Sequence, residues 1–307
     1  MLADIRQFFA ERAVLEVETP LLCATTGTDP QLDFFTSQFN SPPQNPHLFL
    51  QTSPEFAMKR LLAAGSGSIY QICKAFRNAE RGRLHNPEFT ILEWYRLDFD
   101  LPTLMAEVAV LVQQLLRPTY SDLQVKNQSY QELFLEKTGL DPLVFDVPAY
   151  QAFALAQGYP EALALCAEQH ELWLDFMFSH CVQTAMPGDC LLLISGYPAL
   201  LSSLARKNTL DARISERFEV FFAGIELGNG FFELQDAAEQ EARFNHEIAY
   251  RQHYGLTSVQ KDQRFLAALA AGLPDCSGIA LGLDRLLMLI SGSQHIHEVL
   301  SFPIDRA

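Results

Sequence analysis

Apolar positions along the chain change spacing several times, and each change marks a predicted element. Leu2 to Arg12 reads as a helix and Val14 to Val17 as a short strand. After a loop, strands are predicted over Leu32 to Phe39 and Leu48 to Gln51, then a helix over Pro54 to Ala64. Lys74 to Arg77 ends a strand, Asn78 to Pro87 carries turn residues, and Phe89 to Tyr95 resumes as a strand rich in β-branched and aromatic side chains. Leu101 to Leu116 is an amphipathic helix. Tyr130 to Cys181 reads mostly helical, with Phe153, Leu163, Leu172 and Phe176 as its apolar contacts. Strands return at Leu191 to Ile194 and Phe218 to Phe222. Strands in succession, with helices between and after them, predict an α+β fold with a mainly antiparallel sheet.

Composition narrows the class. A 49% hydrophobic content over 307 residues is ample for a core, and no charge run or low-complexity linker divides the chain, so one domain over 1–307 is expected. Asn40 to His47, with Pro42, Pro43 and Pro46, reads as a long hairpin loop. Six cysteines without a CxxC pair, and no charged-then-apolar leader before Asp4, argue for a cytoplasmic protein with reduced thiols. No uninterrupted apolar stretch has the roughly 18 residues of a membrane span. A net charge of -15 disfavours general nucleic-acid affinity, which needs a broad basic face.

Against that charge, Phe76 to Tyr95 (FRNAERGRLHNPEFTILEWY) puts Arg77, Arg81, Arg83 and His85 at the tip of a predicted hairpin. Arginine forks bind phosphate oxygens bidentately, so the tip is either a polyphosphate site or a solvated loop. Arg285 opens an apolar helix after Gly282 and Asp284, where a cation opposes the helix dipole unless an anion is near or Asp284 neutralises it. Glu219 and Glu226 flank a turn at Ala223 and Gly224, so a hairpin would bring them across from each other as a Mg²⁺ pair or as two exposed acids. Glu55 reads as a first-turn acid behind Ser53 as N-cap and Pro54 as first helical residue, and Glu233 as an exposed strand acid. Glu93 and Tyr95 share a strand face by their spacing of two. His295 and His297 have no third ligand near in sequence and read as structural.

Phe76 to Tyr95 resembles motif 2 of the class II aminoacyl-tRNA synthetases in its lysine-specific form, where an arginine, a loop and HNPEF follow one another. Val14 to Leu22 (VLEVETPLL) resembles motif 1 and Gly278 to Leu289 (GIALGLDRLLML) motif 3; Thr52 to Arg60 (TSPEFAMKR) and Arg217 to Leu234 (RFEVFFAGIELGNGFFEL) match the lysine branch. The motif 1 helix begins at Met1, which leaves no N-terminal anticodon-binding domain in the sequence, and 141–183 reads as a helical insertion with the weakest likeness. The chain therefore looks like the truncated paralogues that ligate (R)-β-lysine to elongation factor P.

That resemblance implies an AMP-forming ligase using ATP and Mg²⁺, acting on a lysine side chain of elongation factor P. It implies a homodimer through motif 1, with no tRNA and no membrane partner. Arg77 resembles the motif 2 arginine on the α-phosphate and Arg285 the motif 3 arginine on the γ-phosphate, the two catalytic cations. The resemblance gives ATP contacts to Arg77, Asn78, Ala79, His85, Asn86, Glu226, Leu227, Gly282 and Arg285, and metal contacts to Glu219 and Glu226. Around the amino acid it places Ser53, Pro54, Glu55, Glu93, Tyr95, Glu233 and Ala280. Lysyl-tRNA synthetases usually carry glycine where Ala280 stands, and one added methyl discriminates by about 1–3 kcal/mol, in line with a β-amino acid. One departure is Ala79, where the family motif has an adenine-reading glutamate; Glu80 would point the other way on a strand. Two alternatives remain at this point. One is a free-standing lysine-activating domain with another acceptor, and the other is a non-catalytic binding paralogue.

Overall fold

Helices and strands follow one another in the predicted order, with shorter edge strands than the apolar runs suggest. The computed structural model describes residues 1–40 and 47–307, so Pro42, Pro43 and Pro46 of the predicted hairpin loop lie outside the described residues. In chain order the elements are α1 (Leu2–Ala10), β1 (Leu15–Glu16), β2 (Leu22–Cys23), β3 (Thr36–Gln38), β4 (His47–Leu50), α2 (Glu55–Ala63), β5 (Ile69–Phe76), β6 (Glu88–Leu97) and α3 (Leu101–Leu116). Then come β7 (Gln124–Ser129), α4 (Tyr130–Thr138), α5 (Val147–Ala156), α6 (Ala162–Cys166), α7 (His170–Met177), β8 (Cys190–Ser195), β9 (Arg217–Phe222) and β10 (Ile225–Phe232). The chain continues with α8 (Ala237–His253), α9 (Gln263–Gly272), β11 (Cys276–Gly282) and α10 (Leu283–Ser291). Two compact units result: residues 1–121 with 232–307, and residues 122–231.

In the first unit the strands run in the order β1-β5-β6-β11. β1 is parallel to β5, and the other two pairings are antiparallel. β2, β4 and β3 form a small antiparallel sheet of their own. Alternation along β5 and β6 turns Tyr70 and Trp94 towards α1, where Phe9 stacks on Tyr70 at 4.4 Å and meets Trp94 edge-on at 5.4 Å. α3 has the predicted limits because Asp100 accepts the Thr103 N–H at 2.9 Å as N-cap and Pro102 suits the first turn. Its buried stripe of Leu104, Val108, Leu111 and Leu115 holds it to the unit.

The predicted strand over Leu32–Phe39 shrinks to Thr36–Gln38, because the preceding turn is held by a buried cation instead of a ladder. Arg251 of α8 donates to the carbonyls of Thr257 (2.8 Å), Asp29 (2.8 Å) and Leu32 (3.1 Å), and lies over the Phe34 ring. Helices α8 and α9 were not anticipated. α8 is polar on most faces and buries little beyond Gln240, Phe244 and Arg251, while α9 starts at Asp262, which accepts two backbone N–H groups and the Thr25 hydroxyl.

In the second unit the strand order is β10-β9-β8-β7, antiparallel except for β7 against β8. Its helices, which include the 141–183 stretch, pack around Tyr130, Phe134, Tyr150, Trp173, Met177 and Phe178. Phe153, Leu163, Leu172 and Phe176, expected as the contacts, lie at the margin of that cluster, partly buried. Ser129 and Glu132 form a capping box at the start of α4, and Gly139 ends it in the left-handed region. Among the described residues no helix is long and apolar enough to cross a membrane, and all six cysteines are free thiols.

Candidate active site

The cationic hairpin forms as the sequence predicts. β5 stops at Phe76 and β6 starts at Glu88; the Arg77 N–H closes the neck on the Pro87 carbonyl at 2.9 Å, and Gly82 and His85 pair at the tip. The Arg77 guanidinium lies 5.2 Å over the Phe89 ring and 3.7 Å from Glu80, and its Nε is buried with no hydrogen-bond partner among the described residues. Such a donor is costly to leave dry, and an anion would satisfy it. Asn78 and Ala79 form a turn, not a strand, so the strand alternation expected to set Glu80 opposite to Ala79 does not apply, and Glu80 lies beside Arg77. Ala79 itself sits at φ 61°, its N–H on the Asn78 Oδ1 at 3.0 Å.

Several segments brace this loop. Asn78 donates through its N–H and Nδ2 to the Asp33 carbonyl (3.1 Å) and Oδ2 (3.0 Å). Asn86 is buried, donating to the Glu88 carbonyl at 2.6 Å and accepting the Ile304 N–H at 3.1 Å. The Arg83 carbonyl accepts the Ile296 N–H at 2.9 Å, and Arg81 pairs with Asp305 at 2.6 Å. Arg285, in the first turn of α10, places Nη2 2.8 Å from the His85 Nε2 and donates Nε to the Leu84 carbonyl at 3.3 Å. A guanidinium has no lone pair to offer, so Nε2 accepts and the His85 proton sits on Nδ1. Asp284 does not neutralise Arg285; it accepts the Thr90 N–H at 2.6 Å and ties α10 to β6. Gly282 is the N-cap residue of α10 at φ -74°, a conformation open to any residue. His295 caps the 296–298 turn with Glu298, and His297 lies 4.0 Å from Asp305.

Behind the loop the same unit gathers acids. The β6–β11 register sets Tyr95 opposite Gly278 and Glu93 opposite Ala280, so these four positions share a face. Tyr95 donates its hydroxyl to Glu93 Oε1 at 2.7 Å, and Ser53 donates to Oε2 at 2.7 Å while accepting the Glu55 N–H at 3.0 Å. The helix starts at Glu55 with Pro54 in the N-cap place, one residue later than predicted. Glu233, expected as an exposed acid, is fully buried, because its N–H pairs with the Cys276 carbonyl at 3.1 Å and its carboxylate faces a cation the sequence reading overlooked. That cation is Lys59, whose Nζ lies 2.6 Å from Glu55 Oε1 and 2.6 Å from Glu233 Oε2.

Burial sets the protonation here. It pushes the Glu93 carboxyl up to about 8, helped by the charge of Glu55 and opposed by Ser53, Tyr95 and Lys59. For Lys59 burial alone would lower the pKa, but Glu233 and Glu55 outweigh it and hold the ammonium above its ordinary range. Burial, then Glu93, pushes the Tyr95 phenol well up. Gly278 is the close-approach glycine: a Cβ there would stand 2.3 Å from the Tyr95 ring and 2.8 Å from Glu233 Oε1.

Glu219 and Glu226 belong to the second unit. The β9–β10 hairpin turns on Ala223 (φ 50°) and Gly224 (φ 70°), the two left-handed residues of a two-residue turn. The two acids are not opposite each other: Glu226 stands two residues after the turn and pairs with Phe221, while Glu219 stands four residues before it and pairs with Asn229, one position beyond Gly228 because the register shifts between Glu226 and Gly228. Glu219 accepts the Tyr197 hydroxyl at 2.6 Å and is paired with Arg217; burial raises its pKa, Arg217 lowers it and Glu226 raises it. Leu227 is buried. Among the described residues no group of three His, Cys, Asp or Glu could hold a metal ion.

A four-strand sheet carrying an arginine-bearing hairpin loop and an arginine at the start of the following helix corresponds to one class of enzyme. The family described as tRNA synthetases class II (D, K and N) matches residues 1–306, and the chain belongs to it. ATP use is a property of that class. Within it the chain groups with the elongation factor P–(R)-β-lysine ligases. It is 46% identical to those of Vibrio cholerae serotype O1, Salmonella typhi and Histophilus somni, over 100% of this chain and 94% of each relative.

Proposed function

We propose that this protein activates (R)-β-lysine with ATP and transfers it to a lysine side chain of elongation factor P. The observation that carries the chemistry is the buried cluster of Glu55, Glu93 and Glu233 with Tyr95, in the same unit as the Arg77 and Arg285 loop. Once an incoming ammonium draws the proton from Glu93, three carboxylates against the ammonium of Lys59 leave two uncompensated negative charges, and β-lysine carries two ammonium groups. Glu55, Glu93, Glu233 and Tyr95 hold those groups, with Ser53 and Pro54 shaping one wall and Ala280 the floor.

In the first step a β-lysine carboxylate oxygen attacks the α-phosphorus of ATP, and the bond to pyrophosphate breaks. Arg77, whose buried Nε lacks a partner, donates to the α-phosphate as its charge grows, and Arg285 with His85 binds the outer phosphates. Asn78, Ala79, Asn86 and Gly282 complete the nucleotide contacts of this unit. No general base is needed, since a carboxylate is already the nucleophile. In the second step the neutral amine of the acceptor lysine attacks the acyl carbon, AMP leaves, and the amine loses its proton.

Mg²⁺ fits Glu219 and Glu226 as its protein ligands, because each carboxylate offers about four lone-pair sites and the hydrogen bonds to Glu219 leave some free. The ion would neutralise phosphate charge. We further propose a cytoplasmic homodimer with no tRNA partner, since a net charge of -15 repels a phosphate backbone. The test is ATP–pyrophosphate exchange with (R)-β-lysine and α-lysine, followed by transfer of labelled β-lysine to elongation factor P or to lysine tRNA. Label on the tRNA alone refutes the reading.

A further inference from the structure

Lys59 needs an explanation that stability does not supply. Its side chain is 1% exposed on α2, with its ammonium 2.6 Å from Glu55 of its own helix and 2.6 Å from Glu233, which follows β10. Buried ion pairs of this kind are commonly matched or bettered in stability by apolar residues of the same volume. An aliphatic side chain would suit the spot, because the ammonium also lies 5.8 Å from the Phe265 ring of α9 and α2 stacks there through Phe56 at 4.5 Å. What an aliphatic side chain could not do is hold two carboxylates of different elements at one point.

We propose that Lys59 is a positioning residue for the amino-acid pocket: its ammonium clamps Glu55 to Glu233 and offsets one of the three acidic groups, so the pocket is set for a substrate with two ammonium groups. The inference rests on the assignment of Glu55 and Glu233 to the substrate, made above. The charged groups facing Lys59 are Glu55 from α2 and Glu233, and its charge also acts on Glu93 of β6, lowering that carboxyl's pKa. With the ammonium present, the Glu55 and Glu233 carboxylates are drawn to one point before substrate arrives. Without it they repel each other, and the pocket loses the spacing that an incoming ammonium has to meet.

Lys59→Met, Glu233→Gln and the double variant Lys59→Met/Glu233→Gln separate the possibilities. Pyrophosphate exchange gives KM for (R)-β-lysine and for ATP between pH 7 and 8.5, and thermal unfolding reports whether each protein is folded. For Lys59→Met the expected result is a β-lysine KM raised roughly tenfold or more at pH 7, as for a lost charge-assisted hydrogen bond. The ATP KM should stay within about twofold. A folded Lys59→Met with an unchanged β-lysine KM, or with equal losses for both substrates, overturns the proposal while a raised KM in Glu233→Gln leaves the pocket assignment standing. If Glu233→Gln also has an unchanged KM, the pocket assignment itself falls and takes the proposal with it. Should Lys59→Met fail to fold, the double variant, with both charges gone, decides: a β-lysine KM above that of Glu233→Gln supports the clamp, and an equal KM overturns it.

Discussion

Gly278→Ala adds one methyl group to a face with no room for it. The new Cβ would lie 2.3 Å from two carbons of the Tyr95 ring, where ordinary carbon contacts are about 3.5–4.0 Å, and 2.8 Å from Glu233 Oε1. The ring must move by more than an ångström. It is buried, and its hydroxyl is 2.7 Å from Glu93, so the movement breaks that hydrogen bond. Over-packing costs about 1–3 kcal/mol of stability. With Glu93 protonated below about pH 8 the lost hydrogen bond is between neutral groups and worth about 0.5–1.5 kcal/mol, and expressed in substrate affinity that is roughly 2- to 13-fold. Pyrophosphate exchange should show the (R)-β-lysine KM raised by that factor and the ATP KM little changed, in a protein that still unfolds cooperatively. A folded Gly278→Ala with a β-lysine KM within twofold of the parent would refute the reasoning, because the ring would then be free to yield.

Ala280→Gly, opposite Glu93 in the register, should raise use of α-lysine relative to (R)-β-lysine by roughly 5- to 100-fold, read as a ratio of kcat/KM values. An unchanged ratio removes the methyl from the specificity argument. Glu93 keeps its proton in the folded protein up to about pH 8 but releases it near 4.5 when unfolded, so the native state binds more protons between those values and loses stability as pH climbs through them. Glu93→Gln should therefore flatten Tm between pH 5 and 8. Ala79→Glu should sharpen discrimination of ATP from GTP, while Ala79→Gly should stabilise by up to about 1 kcal/mol in thermal unfolding, since φ 61° strains an L-residue. Arg285→Ala should raise the ATP KM far more than that for β-lysine; the opposite pattern would mean the two pockets have been exchanged.

The motif 2 hairpin was legible because its polar tip interrupts two apolar, β-branched runs, and α3 because Asp100 and Pro102 mark its start. Lys59 was not. Glutamate followed four residues later by lysine is the ordinary pattern of a solvent-facing helix pair, and nothing local says that Glu233, 174 positions away, closes over it. The burial of Glu233 was equally illegible in its local strand context, where it reads as an exposed acid; only the resemblance to the lysine branch set it at the amino acid. The offset of Glu219 from Glu226 follows from their unequal distances from the Ala223–Gly224 turn, which the sequence shows; only the bulge that sets Asn229 instead of Gly228 against Glu219 is silent. β7 and α8 escaped because one is a mostly exposed polar strand and the other a helix with almost no apolar stripe.

The braces on the hairpin loop bear on when the nucleotide site can exist during synthesis. Asp33 holds Asn78, but the turn before Asp33 is pinned by Arg251; His85 meets Arg285, Arg83 meets Ile296, and Asn86 meets Ile304. Every one of these partners is translated more than 150 residues after the loop, apart from Asp33. A nascent chain that has passed Pro87 thus carries all the loop's cations but lacks the partners of Arg81, Arg83 and His85. Until residue 304 is available, the loop lacks its C-terminal braces, and the phosphate cradle proposed for it would stay unordered however well the strands had paired.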